Sequence, residues 1–267
     1  VNLTFAPLAG ILAAGNRAMI KPSEFTPATS DLMKAMFAKA FAEDEIAVFT
    51  GGPEAGQAFA GLAFDHLVFT GATSVARHVM RAAAENLVPV TLELGGKSPN
   101  ILLDDCDFEE AVKRGVRHCF QNTGQSCNAP TRMLIPESQY ETAMEIAKEA
   151  ADATEIGLPS QPGTHIGPLV SQLQYDRVQG LIQAGIEEGA RLVAGGLGRP
   201  DGFNRGYFCR PTVFGDVSND MRIAREEVFG PVLVMISYQD DAEAIEIAND
   251  TPYGLAAYIQ TGPSEES

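Results

Sequence analysis

The segment from Phe120 to Pro130, FQNTGQSCNAP, places Cys127 in a polar, glycine-containing loop. A free cysteine is usually a small buried hydrophobe, and we keep that interpretation for Cys106, Cys119 and Cys209. Cys127 differs because its neighbours are typical of an exposed turn. These neighbours are Thr123, Gly124, Gln125, Ser126, Asn128 and Pro130. The pattern predicts an accessible thiol that could act as a nucleophile.

A second group able to do chemistry lies upstream, in VTLELGGKSPN. Glu93 ends an apolar run from Val88 to Leu94 that leads into a pair of glycines, Gly95 and Gly96. A carboxylate at a strand end beside two glycines belongs to a site more often than to a salt bridge. The alternative for Glu93 is an ion pair with a residue such as Lys97.

The elements that would position these groups alternate between strands and helices. From Arg17 to Leu94, repeated strand and helix units predict a parallel sheet with helices on both faces. The strands are expected at Arg17–Lys21, Ile46–Thr50 and His66–Thr70. One helix, starting at Pro27, carries an apolar stripe expected to face the core: Leu32, Met33, Met36, Phe37, Ala40 and Phe41.

The strand ending at Thr70 runs into Gly71, Ala72, Thr73 and Ser74, and a helix follows through Glu85. A strand, a turn of small residues and a helix together aim backbone N–H groups of the helix N-terminus at a phosphate. The turn lacks the GxGxxG fingerprint of dinucleotide-binding folds. Taken alone, it could equally be an ordinary connection between a strand and a helix.

A second series begins after the double glycine, where we place a domain boundary between residues 1–95 and 96–267. A strand at Asn100–Leu103 precedes a helix that starts near Asp107 and delivers the Cys127 loop. Further strands are expected at Arg132–Ile135, Arg191–Ala194, Tyr207–Phe214 and Val232–Ser237. Further helices are expected at Gln139–Glu155, Leu173–Glu188 and Asp241–Ala248. The fold class is therefore α/β with two parallel-sheet domains.

Composition excludes several classes of protein. The net charge of −16 would repel a nucleic-acid backbone. Apolar runs are too short for the roughly 20 residues of a membrane helix. The four cysteines form no CxxC pair and have no histidines at zinc spacing, so we expect no metal site and reduced thiols in a cytoplasmic compartment.

Five motifs, in order along the chain, resemble the NAD(P)-dependent aldehyde dehydrogenase superfamily: KPSE, FTGATS, ELGGKSP, GQSC and EEVFGPV. The likeness extends through GYFCRPTVF and NDTPYGL, so it covers essentially the whole chain. The resemblance implies a Rossmann-like cofactor domain followed by a catalytic α/β domain. It also implies an aldehyde substrate, which Cys127 attacks to form a thiohemiacetal and then a thioester that Glu93 helps water to hydrolyse.

The resemblance also implies the cofactor contacts. Lys21 and Glu24 match the positions that hold the adenine ribose. Gly71 and Ala72 match the turn that binds the pyrophosphate. The remaining matches are Leu94, beside the general base, and Glu227 with Phe229, at the nicotinamide ribose. A carboxylate at Glu24 repels a 2′-phosphate, so NAD is favoured over NADP, although Lys21 could still serve a phosphate. Read without the family, Glu227 would be a surface carboxylate before a strand.

The chain departs from the family pattern in two respects. The family more often has a serine at Ala72 and a glycine at Ala76, so one hydroxyl contact with the cofactor would be missing. The family's Trp-Asn segment would fall before Val1, and the segment that completes the pocket and the homodimer or homotetramer would follow Ser267. We therefore expect a central fragment of the enzyme.

Four alternatives remain open. A catalytically silent relative or an inactive fragment would share the fold, although a silent relative has no chemical reason to retain both Cys127 and Glu93. A cysteine hydrolase would want a histidine base, and the sequence shows no link between Cys127 and any of its histidines, His66, His78, His118 and His165. An acylating enzyme that uses coenzyme A would not need Glu93. Ser126 and Asn128 suggest polar walls but identify no aldehyde.

Overall fold

A computed structural model describes residues 2–262, which form two compact units, Val1–Leu94 and Gly95–Ser267. The outermost residues of the two predicted domains, Val1 and Ser267, lie outside the described part of the chain. Strands and helices alternate in both units, which confirms the predicted α/β class.

The first unit contains two small parallel sheets, β1 with β2 and β3 with β4. Its strands are β1 (Ala18–Ile20), β2 (Ile46–Val48), β3 (Leu67–Thr70) and β4 (Val90–Glu93). Its helices are α1 (Asn2–Ala13), α2 (Pro27–Ala40), α3 (Pro53–Ala60) and α4 (Thr73–Ala84).

The apolar stripe of α2 is only partly buried. Met33 and Phe37 pack in one core cluster with residues of α1 and β2. Leu32 and Met36 are 61% and 53% exposed and Ala40 is exposed as well, so the prediction that the whole stripe faces the core is wrong for these three residues.

The second unit is built on one six-stranded sheet with the order β10-β5-β6-β9-β8-β7. Its strands are β5 (Pro99–Leu102), β6 (Arg132–Pro136), β7 (Arg191–Ala194), β8 (Thr212–Gly215), β9 (Val232–Tyr238) and β10 (Tyr258–Gln260). All neighbours are parallel except β7, which pairs antiparallel with β8 and makes the sheet mixed. The helices are α5 (Phe108–Phe120), α6 (Tyr140–Asp152), α7 (Gln172–Glu187), α8 (Arg222–Arg225) and α9 (Asp241–Asn249).

Both faces of this sheet are buried. Along β9, Leu233 and Met235 pack in the cluster that contains residues of α5 and α6, whereas Val234 and Ile236 pack in the cluster that contains residues of α7. A strand covered on both faces has no polar side, which is why the central strands read as continuous apolar runs in the sequence.

Some elements differ from their predicted bounds. The strand predicted at Tyr207–Phe214 starts only at Thr212. Pro211 has no N–H to donate to a neighbouring strand. The carbonyl of Tyr207 accepts a hydrogen bond from Leu169 N, which does not belong to the sheet. The helix α3 and the strand β10 were not predicted, since one has only eight residues and the other three. Among the described helices, none is long and apolar enough to cross a membrane.

Candidate functional site

The Cys127 loop follows a well-anchored helix. Asp107 caps the N-terminus of α5 by accepting a hydrogen bond from Glu110 N, and Val112, Val116 and Phe120 are buried along the helix. After α5 the backbone turns through left-handed conformations at Asn122, Thr123 and Gly124, with φ of 53°, 59° and 68°. This turn stops the helix and sends the chain back toward β6.

Two side chains hold the strained turn in place. Thr123 Oγ1 donates to Gly167 O at 3.0 Å, and Gln125 accepts a hydrogen bond from Val170 N at 2.9 Å. Strained backbone persists only where the surroundings over-determine it, and these contacts supply that constraint. Cys127 follows directly and is half-buried, as a nucleophile that must stay accessible requires.

Three motifs of the second unit pack closely together at the Cys127 loop. A Cβ on Gly96 would lie 2.4 Å from Cys127 O, and a Cβ on Gly124 would lie 1.9 Å from Gly230 O. A Cβ on Gly95 would lie 2.2 Å from a carboxylate oxygen of Glu227. Backbone oxygens leave no room for a side chain at Gly96 and Gly124, and a side chain at Gly95 would displace the Glu227 carboxylate, so the double glycine, the cysteine loop and the Glu227 turn form one close-packed cluster.

Glu227 is half-buried in this cluster, and Gly96 N donates to its Oε1 at 3.2 Å. Burial raises the pKa of the Glu227 carboxyl, while the hydrogen bond from Gly96 and the charges of Arg177 and Lys97 act in the opposite direction. The oxygen Oε2 accepts no hydrogen bond from the described residues, so it could accept one from a ligand hydroxyl.

Sequence reasoning missed the two residues that hold the Glu227 turn. Gln174 Nε2 donates to both Val228 O and Phe229 O at 2.9 Å, and Arg177 Nη2 donates to Glu227 O at 2.9 Å. Phe229 has a φ of 54°, a left-handed conformation that a bulky residue adopts only under such constraint. Nothing near Gln174 in the sequence marks it, because polar residues on a helix normally indicate a solvated face.

In the first unit, the predicted ribose-binding residues form a pair just after β1. Lys21 Nζ donates to Glu24 Oε2 at 3.0 Å. A backbone hydrogen bond and the pairing with Lys21 lower the pKa of Glu24. A Cβ added at Gly56 of α3 would lie 3.8 Å from Lys21 Nζ. The ammonium group of Lys21 therefore lies close to α3.

The predicted pyrophosphate turn and the predicted base lie side by side in the first unit. Thr70 is the register partner of Glu93, and Gly71 N donates to Glu93 O at 3.0 Å. Ala72 is the N-cap of α4 and makes no side-chain cap hydrogen bond. The Glu93 side chain is exposed, and Leu94, which is half-buried, joins it to Gly95.

The structure thus gathers the predicted site residues into three groups. Lys21 lies with Glu24, and Gly71 and Ala72 lie with Glu93, all in the first unit. Cys127 and Glu227, with Phe229 in the same turn, lie around the double glycine in the second unit. Among the described residues no group of histidine, cysteine and carboxylate side chains could hold a metal ion.

His118 occupies a position that the sequence did not reveal. It lies near the end of α5 and lines a cavity of 310 Å³ together with Ser126 and Asn128, the two neighbours of Cys127 in the chain. In the described part of the chain, no hydrogen bond joins its ring to the Cys127 thiol, so it is not placed as a base for a cysteine hydrolase.

Arg132 holds the backbone of Lys97, which follows the double glycine. Its guanidinium is fully buried and donates to Lys97 O at 2.9 Å, to Ile247 O at 2.8 Å and to Ala248 O and Asn219 Oδ1 at 2.9 Å. Breaking such a buried network is costly because every carbonyl would lose its donor. Arg132 thereby fixes the backbone that follows the double glycine.

Lys97 is 2% exposed, and its Nζ has no hydrogen-bond partner among residues 2–262. Burial lowers the pKa of Lys97 from 10.5 to about 7. The folded state therefore binds fewer protons than the unfolded state between these pH values, and the stability of the folded state rises with pH in that window.

This titration predicts a pH-dependent difference between the native protein and the Lys97→Met variant. As the pH rises from 7 to 9, the unfolding free energy of the native protein should gain about 1.4 kcal/mol per pH unit on the variant. Below pH 7 the variant should be the more stable protein by a constant amount, because methionine carries no charge to desolvate. Urea unfolding of both proteins at each pH measures the difference, and parallel profiles would show that Lys97 does not titrate in this range.

The sequence of this chain is similar to those of known enzymes. A family model described as the aldehyde dehydrogenase family matches residues 1–267. A probable coniferyl aldehyde dehydrogenase of Caulobacter vibrioides is 53% identical over 260 residues, which are 97% of this chain and 53% of that protein. A 3-succinoylsemialdehyde-pyridine dehydrogenase of Pseudomonas sp. is 46% identical over an alignment of 276 positions, which covers 100% of this chain and 57% of that protein. The chain therefore spans about half the length of these relatives.

Solved structures agree with the sequence comparisons. An aldehyde dehydrogenase of Mycobacterium tuberculosis complexed with NAD+ has a TM-score of 0.89 and 46% identity, over 94% of this chain and 52% of that one. A mutant of aldehyde dehydrogenase C from Pseudomonas syringae complexed with NAD+ and octanal has a TM-score of 0.90 and 44% identity, over 93% of this chain and 52% of that one. The motifs, the fold and these matches agree, and the chain belongs to the aldehyde dehydrogenase family.

Proposed function

We propose that the natural full-length protein oxidises an aldehyde to a carboxylic acid with NAD+ as the hydride acceptor. The observation that carries the proposal is the packing of the Cys127 loop against Gly96 while Gly95 packs against the Glu227 carboxylate. This arrangement holds the backbone of the Cys127 loop and the Glu227 carboxylate against the same pair of glycines. Solved relatives complexed with NAD+ support the choice of cofactor.

In this mechanism the thiolate of Cys127 adds to the carbonyl carbon and forms a tetrahedral thiohemiacetal. The backbone N–H of Cys127 stabilises the developing oxyanion, as the family resemblance implies. A bound nicotinamide cofactor would supply the acceptor for the hydride that leaves the thiohemiacetal carbon, and this oxidation leaves a thioester on Cys127.

Glu93 then acts on water. Its carboxylate takes a proton from a water molecule as the water oxygen attacks the thioester carbon, and the Cys127 thiolate leaves as the carboxylic acid forms. The chain connection supports this role, because Leu94 alone separates Glu93 from the double glycine that packs on the cysteine loop.

The described residues fit the cofactor in three places. The ion pair of Lys21 and Glu24 presents a carboxylate to ribose hydroxyls after β1, and the turn at Gly71 and Ala72 presents backbone N–H groups at the start of α4. Glu227 keeps one oxygen free of described hydrogen bonds for the second ribose. The exposed, small side chain of Ala72 leaves the approach to the helix N-terminus open.

Removal of the Glu24 charge should weaken the choice of NAD over NADP. Because its pKa is lowered, Glu24 is an anion at neutral pH and repels a 2′-phosphate. The ratio of kcat/KM for NAD to kcat/KM for NADP should fall about tenfold in Glu24→Gln, the equivalent of about 1.4 kcal/mol. Glu43→Gln, a change at another exposed carboxylate of the first unit, serves as the control and should leave the ratio unchanged. Equal use of NAD and NADP by the unmodified protein would contradict the ribose argument.

The proposed function is tested by mixing the natural full-length protein with NAD, NADP and a panel of aldehydes and following absorbance of the reduced cofactor. Formation of reduced cofactor together with carboxylic acid is the expected result. Binding of NAD without turnover of any aldehyde would identify a silent relative, and a strict requirement for coenzyme A would identify an acylating enzyme. A homodimeric or homotetrameric assembly and a cytoplasmic location stay predictions.

A further inference from the structure

Cys127 occupies the first central position of a short turn. Ala129 N donates to Ser126 O at 3.1 Å, and this hydrogen bond closes the turn around Cys127 and Asn128. Turns of types I and II differ in the direction of their central peptide group, so closing a turn does not by itself fix where its peptide groups point. The direction of the Cys127 thiol and backbone N–H therefore depends on contacts that other segments make with the turn.

The side chain of Gln125 holds the chain just before the turn. Its Oε1 accepts a hydrogen bond from Val170 N at 2.9 Å. Its Nε2 donates to Asn122 O at 3.2 Å and to Pro168 O at 3.4 Å. One amide group thus joins the left-handed backbone after α5 to the segment that precedes α7, and it does so two residues before Cys127.

Tyr258 holds the turn from the other side. Its hydroxyl donates to Asn128 O at 3.0 Å. The tyrosine itself is fixed, because β10 pairs with β5 and the Tyr258 ring meets the His118 ring edge to face, with centroids 4.9 Å apart. Burial raises the pKa of Tyr258, the hydrogen bond to Asn128 lowers it, and a negative charge on Cys127 raises it, which agrees with a hydroxyl that lies near the thiol.

Gly96 limits the remaining freedom of the turn. A Cβ at Gly96 would lie 2.4 Å from Cys127 O, so the backbone of Gly96 blocks movement of that carbonyl toward the double glycine. The contacts at Gln125, Tyr258 and Gly96 come from three different parts of the second unit. Residues held by secondary structure place a reacting group more accurately than a free loop does.

From these contacts we propose that Gln125 and Tyr258 are positioning residues, which hold the turn on both sides of Cys127 and thereby aim its thiol and backbone N–H at the carbonyl of a bound aldehyde. This inference rests on the proposed oxidation of aldehydes at Cys127. Neither side chain forms or breaks a bond, and each acts through the backbone of the turn. Accurate placement matters because a shift of about 1 Å in a reacting group can cost about 10²-fold in rate.

The test replaces Gln125 by methionine and Tyr258 by phenylalanine in the natural full-length protein, because both changes keep the shape and remove the hydrogen bonds. With enzyme in excess over aldehyde, stopped-flow absorbance gives the rate constant for the transfer of one hydride. This rate constant should fall at least about tenfold in Gln125→Met, which loses two contacts with the segment before α7, and about three- to tenfold in Tyr258→Phe, which loses one hydrogen bond.

Two further measurements distinguish positioning from a general loss of structure. Alkylation of Cys127 by iodoacetamide requires no fixed geometry of attack, so in both variants it should proceed at the native rate or faster. The Kd for NAD, measured by calorimetry, should stay within about twofold of the native value, because Gln174 and Arg177 hold the Glu227 turn independently.

The matched controls are Gln183→Met and Tyr207→Phe. Gln183 bonds to Glu187 within α7, and Tyr207 packs against the core cluster that contains residues of α7. Both variants should transfer hydride at the native rate.

The outcomes separate the inference from the proposed function. Hydride transfer at the native rate in both Gln125→Met and Tyr258→Phe would overturn the inference and leave aldehyde oxidation standing. A parallel fall in alkylation would overturn it as well, since the two residues would then act on the ionisation of the thiol. If the unmodified protein transfers no hydride from any aldehyde, the proposed function fails and the inference fails with it. Should Gln125→Met not fold, Tyr258→Phe, which lacks only one oxygen atom, decides the question.

Discussion

Replacing Cys127 by alanine should lower kcat for aldehyde oxidation by at least about 10³-fold, because no other group can form the thioester. The loss should be confined to chemistry. Cys127 is half-buried, its side chain makes no hydrogen bond to a described residue, and alanine fits the same backbone. Cys127→Ala should therefore bind NAD with nearly unchanged Kd and unfold at a Tm close to that of the native protein.

Cys106→Ala is the matched control, since Cys106 is half-buried as well but lies outside the cysteine loop. Its kcat should stay within about twofold of the native value, in line with substitutions away from special features. A thiol reagent should label Cys127 before Cys119 and Cys209, whose thiols are buried and whose pKa values are raised to about 12. Near-native turnover by Cys127→Ala would remove this residue from the mechanism.

Glu93→Gln should separate the two halves of the reaction. Cys127 should still attack and one hydride should still be transferred, so mixing enzyme, NAD and aldehyde should give a burst of about one NADH per active site. Turnover should then nearly stop, because the amide of glutamine cannot take a proton from the water that hydrolyses the thioester. Stopped-flow absorbance measures the burst, and mass spectrometry of the quenched protein detects the acyl group on Cys127.

Glu85→Gln, at an exposed glutamate just after α4 in the same unit, should turn over at the native rate and show no trapped acyl group. Addition of coenzyme A distinguishes the acylating alternative, since only an enzyme of that class would resume turnover in the Glu93→Gln variant. Steady turnover of Glu93→Gln at the native rate, without a thioester on Cys127, would assign Glu93 a purely structural role.

The sequence predicted the elements that carry the site but not the contacts that hold them. Cys127 could be located because the apolar stripe of α5 stops at Phe120 and a polar glycine-containing loop follows, which is a local signal. Glu93 could be placed at the end of a strand from the same kind of local pattern. Local periodicity and turn composition are sufficient for such predictions.

The contacts that sequence reasoning missed join residues far apart in the chain. Gln174 holds the turn at Phe229, and Gln125 holds the segment at Val170, yet each reads as an ordinary polar residue where it stands. The left-handed backbone of Asn122 and Thr123 has no signature in the letters QNTG beyond the glycine. Secondary-structure propensity describes one segment of the chain at a time, whereas these hydrogen bonds and this backbone conformation arise only when two segments pack together.

The close packing of Gly95, Gly96 and Gly124 also limits how this protein can be engineered. Exchanging glycine for alanine is a common route to thermostability because it reduces the freedom of the unfolded chain. At Gly96 and Gly124 the added methyl would overlap backbone oxygens 2.4 and 1.9 Å away, and at Gly95 it would displace the Glu227 carboxylate 2.2 Å away, so this route is not suitable at these three positions. It is open at Gly10 in α1 and Gly180 in α7, where an added Cβ meets nothing within 4 Å and each exchange should gain about 0.5–1 kcal/mol.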